Sequence, residues 1–309
     1  MFDISNKIRT ARVATAQASL EVAPATIDLI NNHQVPKGDP LEVAKVAAIQ
    51  AAKNTPQIIP YCHPLPIDHV AVAYRLAESR IELTVTVKAI YKTGVEMEAL
   101  TAASVGALTL YDMLKMLDHS MTIREVRLLE KRGGKSDFPD RDARPLSAVV
   151  VVMSDSVSAG TRTDASGRLA AERLQAAGLN VRECLVVPDD ETSIEQTLIR
   201  WADEQAVDLI VTTGGTGLGP RDRTPEVMAR VLEREVPGIV EAARAHGQER
   251  TPFAALSRAR AGIRGHTLIV NLPGSPRGVA ESLDVLLKPM LHAFSMMDGG
   301  GHSAPSSSP

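Results

Sequence analysis

Apolar and polar residues alternate along two stretches in the first half of the chain. Between residues 81 and 91, one face of the predicted strand carries Ile81, Leu83, Val85, Val87 and Ala89. Residues 70–76 alternate in the same way. Strict alternation is typical of a strand with one buried and one solvated face, so these stretches predict an antiparallel hairpin.

A long apolar helix is predicted after this hairpin, over residues 98–115. It is rich in Ala and Leu and apolar almost all round, so it should be mostly buried. Glu96 and Glu98 open it, and Asp112 and Lys115 close it on one face, three residues apart. Charged groups at the ends of an apolar helix are either caps and surface ion pairs or the edge of a site.

An earlier helix is predicted from its start signals. Asp39 can act as N-cap, Pro40 suits the first helical position, and Glu42 completes a capping box. The helix should stop before Pro56. With a further strand over 121–129, the first half predicts an α+β domain: an antiparallel sheet with helices on one face.

The second half has a different pattern. Residues 148–153 are apolar without alternation, as in a strand buried on both faces. Later apolar strands alternate with helices, which predicts a doubly wound, mostly parallel α/β sheet. The predicted strands are 181–187, 209–212 and 266–271, and the helices are 168–177 (ended by Gly178), 193–205 and a last one to about Met297.

A polar, aperiodic stretch separates the two patterns and predicts a linker. The last residues are mostly Gly, Ser and Pro, so a disordered tail is expected. The predicted boundaries are 1–137 for the first domain, 138–146 for the linker, 147–297 for the second domain and 298–309 for the tail.

Composition narrows the class of protein. The net charge is −3 and aromatic residues make up 3% of the 309 residues, which argues against nucleic-acid or anionic-membrane partners. Cys62 and Cys184 lie in different predicted domains, so neither a disulfide framework nor a CxxC metal site is expected. No apolar run approaches the length of a membrane span, and the N-terminus lacks an apolar signal core. A soluble cytoplasmic protein is expected.

Candidate chemistry in the first half lies in a rigid loop and near one helix start. Three prolines flank Cys62 and His63 and fix an extended path. A zinc site would need more ligands, so a substrate contact is favoured over a metal. Lys37, just before the predicted helix at Pro40, is either a solvated loop lysine or a site residue.

The candidate functional residues of the second half lie at the ends of predicted strands. Ligands of doubly wound sheets bind beyond the carboxyl ends of the strands. Two of these ends, 213–217 and 272–275, are glycine loops before helices, and such loops either form tight turns or cradle phosphate. Neither matches a P-loop or a GxGxxG fingerprint. Asp222 lies just before a plausible helix start at Thr224.

Several motifs of the first half together resemble the cyclic pyranopterin monophosphate synthase (MoaC-like) family. The motifs are Lys37-Gly-Asp39, Pro60-Tyr-Cys-His-Pro-Leu65, Thr93-Gly-Val-Glu-Met-Glu-Ala-Leu-Thr101, Leu110-Tyr-Asp-Met-Leu-Lys115 and Lys131-Arg-Gly-Gly-Lys-Ser136. The resemblance implies a ferredoxin-like subunit of a homo-oligomer. It also implies conversion of (8S)-3',8-cyclo-7,8-dihydroguanosine 5'-triphosphate to cyclic pyranopterin monophosphate and diphosphate.

The same resemblance implies roles for individual residues. Asp112 and Lys115 match the catalytic pair, and Lys37 matches a second essential lysine. The implied substrate contacts are Arg12, Tyr61, Cys62, His63, Glu96, Met97, Glu98 and Lys131. Pro40, Arg132 and Asp137 depart from the usual motifs, and none of these departures removes a charged site residue.

Motifs of the second half resemble the molybdopterin adenylyltransferase (MogA/MoaB-like) family. They are Ser154-Asp155, Pro188-Asp189, Thr212-Thr-Gly-Gly-Thr-Gly217, Arg221-Asp222-Arg-Thr-Pro225 and Asn271-Leu-Pro-Gly274. The resemblance implies transfer of AMP from ATP to molybdopterin. Asp189 and Asp222 match the essential acidic pair and would hold Mg²⁺ with ATP; no tightly bound cofactor is expected. The implied substrate contacts are Ser154, Asp155, Gly214, Gly215, Thr216, Gly217, Pro273, Gly274 and Ser275.

The two resemblances predict a bifunctional enzyme of molybdenum cofactor biosynthesis. The alternative is an active synthase fused to an inert pterin-binding module, and the presence of Asp189 and Asp222 favours the enzyme. Glu96 and Asp112 would lie about 24 Å apart along one helix. One substrate could contact both helix ends only if two subunits share the site or if the helix kinks at Gly106.

Overall fold

The computed structural model describes residues 1–134 and 144–299. The chain divides into two compact units, residues 1–139 and 140–309. Residues 138–143 of the predicted linker and residues 300–309 of the predicted disordered tail lie outside the described residues. Among the described residues, no helix combines the length and apolarity needed to cross a membrane.

The first unit is a ferredoxin-like α+β sandwich, as predicted. Its sheet is antiparallel with strand order β2-β3-β1-β4. The elements in chain order are β1 (Thr10–Glu21), α1 (Pro24–Asn31), α2 (Pro40–Ile58), β2 (His69–Ala77), β3 (Arg80–Tyr91), α3 (Glu96–Leu114) and β4 (Thr122–Arg132).

Small side chains build the core between this sheet and helices α2 and α3. The predicted apolar face of β3 is fully buried, and its neighbour β1 contributes three alanines. Helices α2 and α3 add further alanines, which let the helix backbones approach the strands closely. The inward-facing set includes Ala14, Ala16, Ala18, Ala48, Ala52, Leu83, Val85, Val87, Ala99, Ala102, Ala103 and Ala107.

Helix α2 confirms its predicted start but not its predicted end. The Asp39 side chain accepts hydrogen bonds from the N–H groups of Leu41 (2.9 Å) and Glu42 (3.3 Å). Glu42 does not complete the capping box, because its carboxylate pairs with Lys45 instead. The helix also continues through Pro56 to Ile58, so the predicted stop was wrong. Pro56 has no N–H to donate to the carbonyl of Ala52, so only the last turn of the helix lacks a backbone hydrogen bond.

The second unit is the predicted doubly wound sheet, with an added antiparallel edge. Its strand order is β6-β5-β7-β10-β9-β8. Strands β5, β6, β7 and β10 run parallel, whereas β9 is antiparallel to β10 and to β8. The strands are β5 (Ser147–Met153), β6 (Asn180–Val187), β7 (Leu209–Thr213), β8 (Arg234–Glu235), β9 (Ala261–Arg264) and β10 (Thr267–Leu272).

Helices cover both faces of this sheet, and all seven residues of β5 are buried. The predicted helix 193–205 begins earlier, at Glu191, and ends in a π-helical turn (Arg200–Glu204). The predicted stop at Gly178 is confirmed, with φ +90° directly after the C-cap of α5. The helices are α4 (Asp155–Ser158), α5 (Ser166–Ala176), α6 (Glu191–Ile199), α7 (Thr224–Val231), α8 (Pro237–Gln248) and α9 (Pro276–Met297), with a 3₁₀ turn at Pro252–Leu256.

The buried Asp118 carboxylate ties the start of α1 to the turn after α3. It accepts hydrogen bonds from Ala23 N (2.6 Å), Thr26 Oγ1 (3.0 Å), Ser120 N (2.9 Å) and Ser120 Oγ (2.6 Å). Burial opposes ionisation, but the hydrogen bonds from Ala23, Ser120 and Thr26 outweigh it and lower the pKa of Asp118 to about 2.

We expect Asp118→Ala to destabilise the first unit by about 2–3 kcal/mol at neutral pH, because it leaves buried donors unpaired. The folded-state pKa lies below the unfolded value, so this stabilisation is complete above about pH 4. It is lost as the pH falls through about 2. Urea unfolding at neutral pH and at about pH 2 measures the difference in the free energy of unfolding between the variant and the unaltered protein. Hydrogen exchange of the α1 amides is measured at the same two pH values. Asp28→Ala, an exposed change on α1, is the control; an equal Asp118→Ala effect at both pH values would contradict the assignment.

Candidate active sites of the two units

Asp112, near the C-terminal end of α3, forms ion pairs with two lysines. Its carboxylate pairs with Lys115 Nζ (2.7 Å) and Lys37 Nζ (3.2 Å), and Lys37 also donates to its backbone carbonyl (2.7 Å). Hydrogen bonds from Lys115 and then Lys37 lower the pKa of Asp112, and the bond to Asp112 raises the pKa of Lys115. The structure therefore brings these three predicted residues together as an exposed cluster with both lysines charged.

A cavity of about 340 Å³ lies at the N-terminal end of α3. Arg12, Glu96 and Lys131 line it, and Lys131 Nζ is 3.3 Å from Glu96 Oε1. Glycines bring the backbone close to these side chains. A Cβ on Gly94 would lie 1.9 Å from Glu96 Oε2, and Gly133 has φ +106° with no room for a Cβ beside the Ala11 carbonyl.

Glu98 and Cys62 form a buried pair near the same end of α3. Glu98 is 1% exposed, and its Oε1 accepts from Cys62 Sγ at 3.2 Å. Its Oε2 is buried without a hydrogen-bond partner among the described residues. Burial raises the pKa of Glu98, and burial together with Glu98 raises the pKa of Cys62 to about 12. Cys62 is therefore a thiol at neutral pH, not a nucleophilic thiolate.

The other predicted contacts of this loop and helix are accessible. Tyr61 is 77% exposed and Met97 is 38% exposed. The ring of His63 donates from Nε2 to the Phe2 carbonyl (2.8 Å), so the N-terminal segment lies beside this group.

The predicted site residues of the first unit therefore form two groups at opposite ends of one helix. Helix α3 is continuous over its 19 residues, so Glu96 and Asp112 are separated by about 24 Å along its axis. Gly106 lies inside the helix against β3, where a Cβ would be 2.3 Å from Leu83 Cδ2. Close packing on β3 accounts for this glycine.

Carboxylates converge at the carboxyl edge of the sheet in the second unit. Asp155 N donates to Asp189 Oδ2 (3.1 Å), and Asp189 N donates to Asp155 Oδ1 (3.0 Å). Arg221 forms an ion pair with Asp155. Burial raises the pKa of Asp189, and the negative charges of Asp155 and Asp222 add to this effect. Asp189 therefore lies within electrostatic reach of two other carboxylates.

The predicted glycine loop follows β7 and packs tightly on its neighbours. Gly214 and Gly215 have φ +100° and +63°. A Cβ on Gly214 would lie 2.5 Å from Met153 O, and one on Gly215 would lie 2.1 Å from Thr224 Oγ1. Gly274 brings the second loop against the first, since its Cβ would be 3.2 Å from the Cα of Gly214. Tight-turn geometry therefore accounts for these glycines whether or not the loop also holds phosphate.

Some predicted substrate contacts have structural roles of their own. Ser154 Oγ caps α4 by accepting from Val157 N (3.3 Å), and Ser275 Oγ caps α9 by accepting from Gly278 N (3.1 Å). Thr216 is buried in the glycine loop. The remaining two predicted positions, Gly217 and Pro273, pack against Asp222 and against the first turn of α9.

The Asp222 carboxylate lies close to the backbone of two glycines, Gly217 and Gly219. Its Oδ2 accepts from Gly219 N (2.8 Å), and a Cβ on either Gly217 or Gly219 would lie 2.8 Å from that oxygen. Sequence reasoning missed Arg258, which donates to the carbonyls of Gly217 and Asp222. No motif in the sequence links Arg258 to this loop, because the contact spans more than thirty residues of chain.

The carboxylates of Asp189 and Asp222 fit a magnesium ion whose other ligands would include phosphate oxygens of the substrate. Among the described residues, no group of three or more His, Cys, Asp or Glu side chains is arranged to hold a metal ion. Mg²⁺ is usually bound by one or two carboxylates plus substrate phosphates. Asp189 and Asp222 supply that number of carboxylates, and Asp155 is already paired with Arg221.

Comparison with known proteins divides the chain in the same way. The MoaC family model matches residues 1–134, and a model described as a probable molybdopterin binding domain matches residues 149–293. A cyclic pyranopterin monophosphate synthase of Aquifex aeolicus is 48% identical over 136 residues, or 44% of this chain and 54% of that protein. The crystal structure of the molybdopterin biosynthesis enzyme MoaB from Thermus thermophilus is 45% identical and covers 50% of this chain and 97% of that one, with a TM-score of 0.48.

Relatives of the same two-part organisation match almost the whole chain. The molybdenum cofactor biosynthesis bifunctional protein of Chlorobaculum tepidum is 42% identical over 303 residues, which cover 98% of this chain and 96% of the relative. The chain therefore belongs to the family of molybdenum cofactor biosynthesis bifunctional proteins, with a cyclic pyranopterin monophosphate synthase unit followed by a MogA/MoaB-like unit.

Proposed function

We propose that the first unit converts (8S)-3',8-cyclo-7,8-dihydroguanosine 5'-triphosphate to cyclic pyranopterin monophosphate and diphosphate. The observation that carries this proposal is the exposed Lys37–Asp112–Lys115 cluster. Closing a cyclic phosphate forms a new P–O bond and expels diphosphate, so negative charge must be stabilised on the leaving group. Two charged lysines held by one aspartate are suited to bind that polyanion.

Proton transfer in the same reaction needs a side chain positioned to act as a general acid or base. Glu98 has the environment for it, because burial raises its pKa and one carboxyl oxygen has no hydrogen-bond partner among the described residues. Lys115 lacks that environment, since it is exposed and Asp112 raises its pKa. Lys115 accordingly acts as a fixed cation, and Glu98 is the candidate to hold or move a proton.

Each complete site is proposed to combine groups from two copies of the chain. Glu98 and Lys115 lie at opposite ends of a continuous helix, too far apart for one compact nucleotide to contact both. In an isologous pair, the N-terminal end of α3 from one copy can face the C-terminal end of α3 from the other.

The second unit is proposed to transfer AMP from ATP to molybdopterin, releasing diphosphate. The convergence of Asp155, Asp189 and Asp222 supports this activity. Asp189 and Asp222 would hold Mg²⁺, which when bound neutralises phosphate charge. Of the three, Asp155 is committed to Arg221 and to the backbone of Asp189. Its role is to fix the orientation of Asp189.

Lys115→Ala should lower cyclic pyranopterin monophosphate formation by on the order of 10²–10³-fold, because a cation at the leaving group is removed. Adenylylation by the same chain should not change, since that reaction is proposed for the other compact unit. Product formation measured for both reactions checks this. Lys45→Ala is the matched control, because Lys45 is also exposed and paired with an acidic residue three positions away on a helix. Loss of both activities in a folded Lys115→Ala protein would contradict the assignment.

Mixing Glu98→Ala with Lys115→Ala protein tests the shared site. After subunit exchange, roughly a quarter of the sites should carry both intact helix ends and regain activity, as random pairing of isologous interfaces requires. Synthase activity before and after exchange is the measurement, with mass spectrometry to verify that mixed oligomers form. Lys131→Ala replaces Glu98→Ala in a second mixture, because Lys131 is exposed and its loss does not disturb the core. No recovery despite verified exchange would mean that each chain builds its site alone.

Asp222→Asn keeps the side-chain size but removes the charge that would hold Mg²⁺ near phosphate. Adenylylation should fall by on the order of 10²–10³-fold, while molybdopterin binding, followed by fluorescence titration, changes little. Asp190→Asn is the control, because Asp190 neighbours Asp189 in sequence but serves only as the exposed N-cap of α6. Full activity of Asp222→Asn would reduce Asp222 to a structural residue. Pterin binding without adenylylation by the unaltered protein would favour an inert binding module.

A further inference from the structure

Arg258 links the glycine loop to the segment that carries Asp222. Its backbone N–H donates to Thr216 O (2.9 Å) and its Nε to Gly217 O (2.8 Å). Its Nη2 donates to Asp222 O, and its Nη1 pairs with Glu226 Oε1 in the first turn of α7 (2.5 Å for each). The side chain of Arg258 therefore links Gly217, Asp222 and the first turn of α7.

The charge of Arg258 is already balanced. Glu226 neutralises the guanidinium, and the bond from Arg258 lowers the pKa of Glu226. The other two side-chain bonds go to backbone carbonyls. This arrangement does not leave an open cation for phosphate; it fixes the path of the backbone.

The path of that backbone determines where the Asp222 carboxylate lies. Gly217 and Gly219 approach Asp222 Oδ2 so closely that neither position has room for a Cβ, and Gly219 N donates to the same oxygen. Moving the Gly217 or Asp222 carbonyl would therefore shift the Asp222 carboxylate from the place that these two glycines define.

We propose that Arg258 is a positioning residue for the cation site proposed at Asp189 and Asp222, holding the Asp222 carboxylate in the place that Gly217 and Gly219 define. This inference rests on the proposed adenylylation in the second unit. Arginine suits the role because its planar fork donates in three fixed directions at once. Lysine keeps the charge but cannot reproduce that set of contacts.

The test compares Arg258→Lys with Arg264→Lys in the full chain. Arg264 is a matched control: it pairs with both carboxylate oxygens of Asp203 and donates to the Val231 carbonyl (3.1 Å), at the β9–β10 hairpin. Mn²⁺ titration in the presence of ATP, read by electron paramagnetic resonance, reports cation affinity without activity. Hydrogen exchange at the Gly219 amide reports the bond to Asp222.

Arg258→Lys should weaken Mn²⁺ binding about tenfold, since a factor of ten corresponds to one well-made hydrogen bond. The Gly219 amide should exchange faster, and half-maximal adenylylation should require about tenfold more Mg²⁺ on the same reasoning. Molybdopterin binding should not change. Arg264→Lys should leave all four measurements at their original values.

Two results would overturn the proposal. One is that Arg258→Lys lowers the unfolding midpoint but leaves the Mn²⁺ affinity and the exchange rate of the Gly219 amide unchanged. The other is that the unaltered protein binds no Mn²⁺ in the presence of ATP. If Arg258→Lys weakens Mn²⁺ binding in a protein that shows no adenylylation, the positioning role stands and the proposed activity of the second unit fails.

Discussion

The first unit depends on the length and burial of α3. Its 19 residues pack against β1 and β3 through small side chains, so the helix is held along the sheet by close contacts that a kink would break. Gly106 takes part in this packing, because the Leu83 side chain occupies the space where its Cβ would be. Because the buried helix keeps its charged ends about 24 Å apart, the proposed synthase site draws its second half from another copy of the chain.

The second unit depends on a different constraint, the close approach of backbones at the carboxyl edge of its sheet. Gly214 touches the end of β5 and the loop after β10, and Gly215 touches the start of α7. These approaches bring the ends of β5, β7 and β10 together, and with them Asp155, which follows β5 and exchanges backbone-to-carboxylate hydrogen bonds with Asp189. The primary effect of the glycines is therefore to allow these close backbone approaches, which determine the geometry of the site.

An element could be predicted from the sequence where its local residue pattern reflects one dominant interaction, such as burial of one face or capping of a helix. The alternation in β3 was visible because Ile, Leu and Val mark its buried face, and the Asp39 cap was visible because its acceptor bonds are local. Strand β1 was missed because alanines mark its buried face, and alanine has little strand propensity. The motifs supplied the site residues, but not their division between the two ends of α3. Arg258 was invisible because its contacts depend on the tertiary path of the loop.

The two sites meet the same problem, phosphate charge, in opposite ways. In the first unit the protein supplies cations, and Asp112 holds Lys37 and Lys115 side by side through ion pairs. In the second unit the protein supplies anions: burial raises the pKa of Asp189, and the negative charges of Asp155 and Asp222 add to that effect. A Mg²⁺ ion bound with the nucleotide would offset this negative charge for the proposed phosphate substrate. The first site is therefore suited to a bare triphosphate, whereas the second is suited to a nucleotide that arrives with its metal ion.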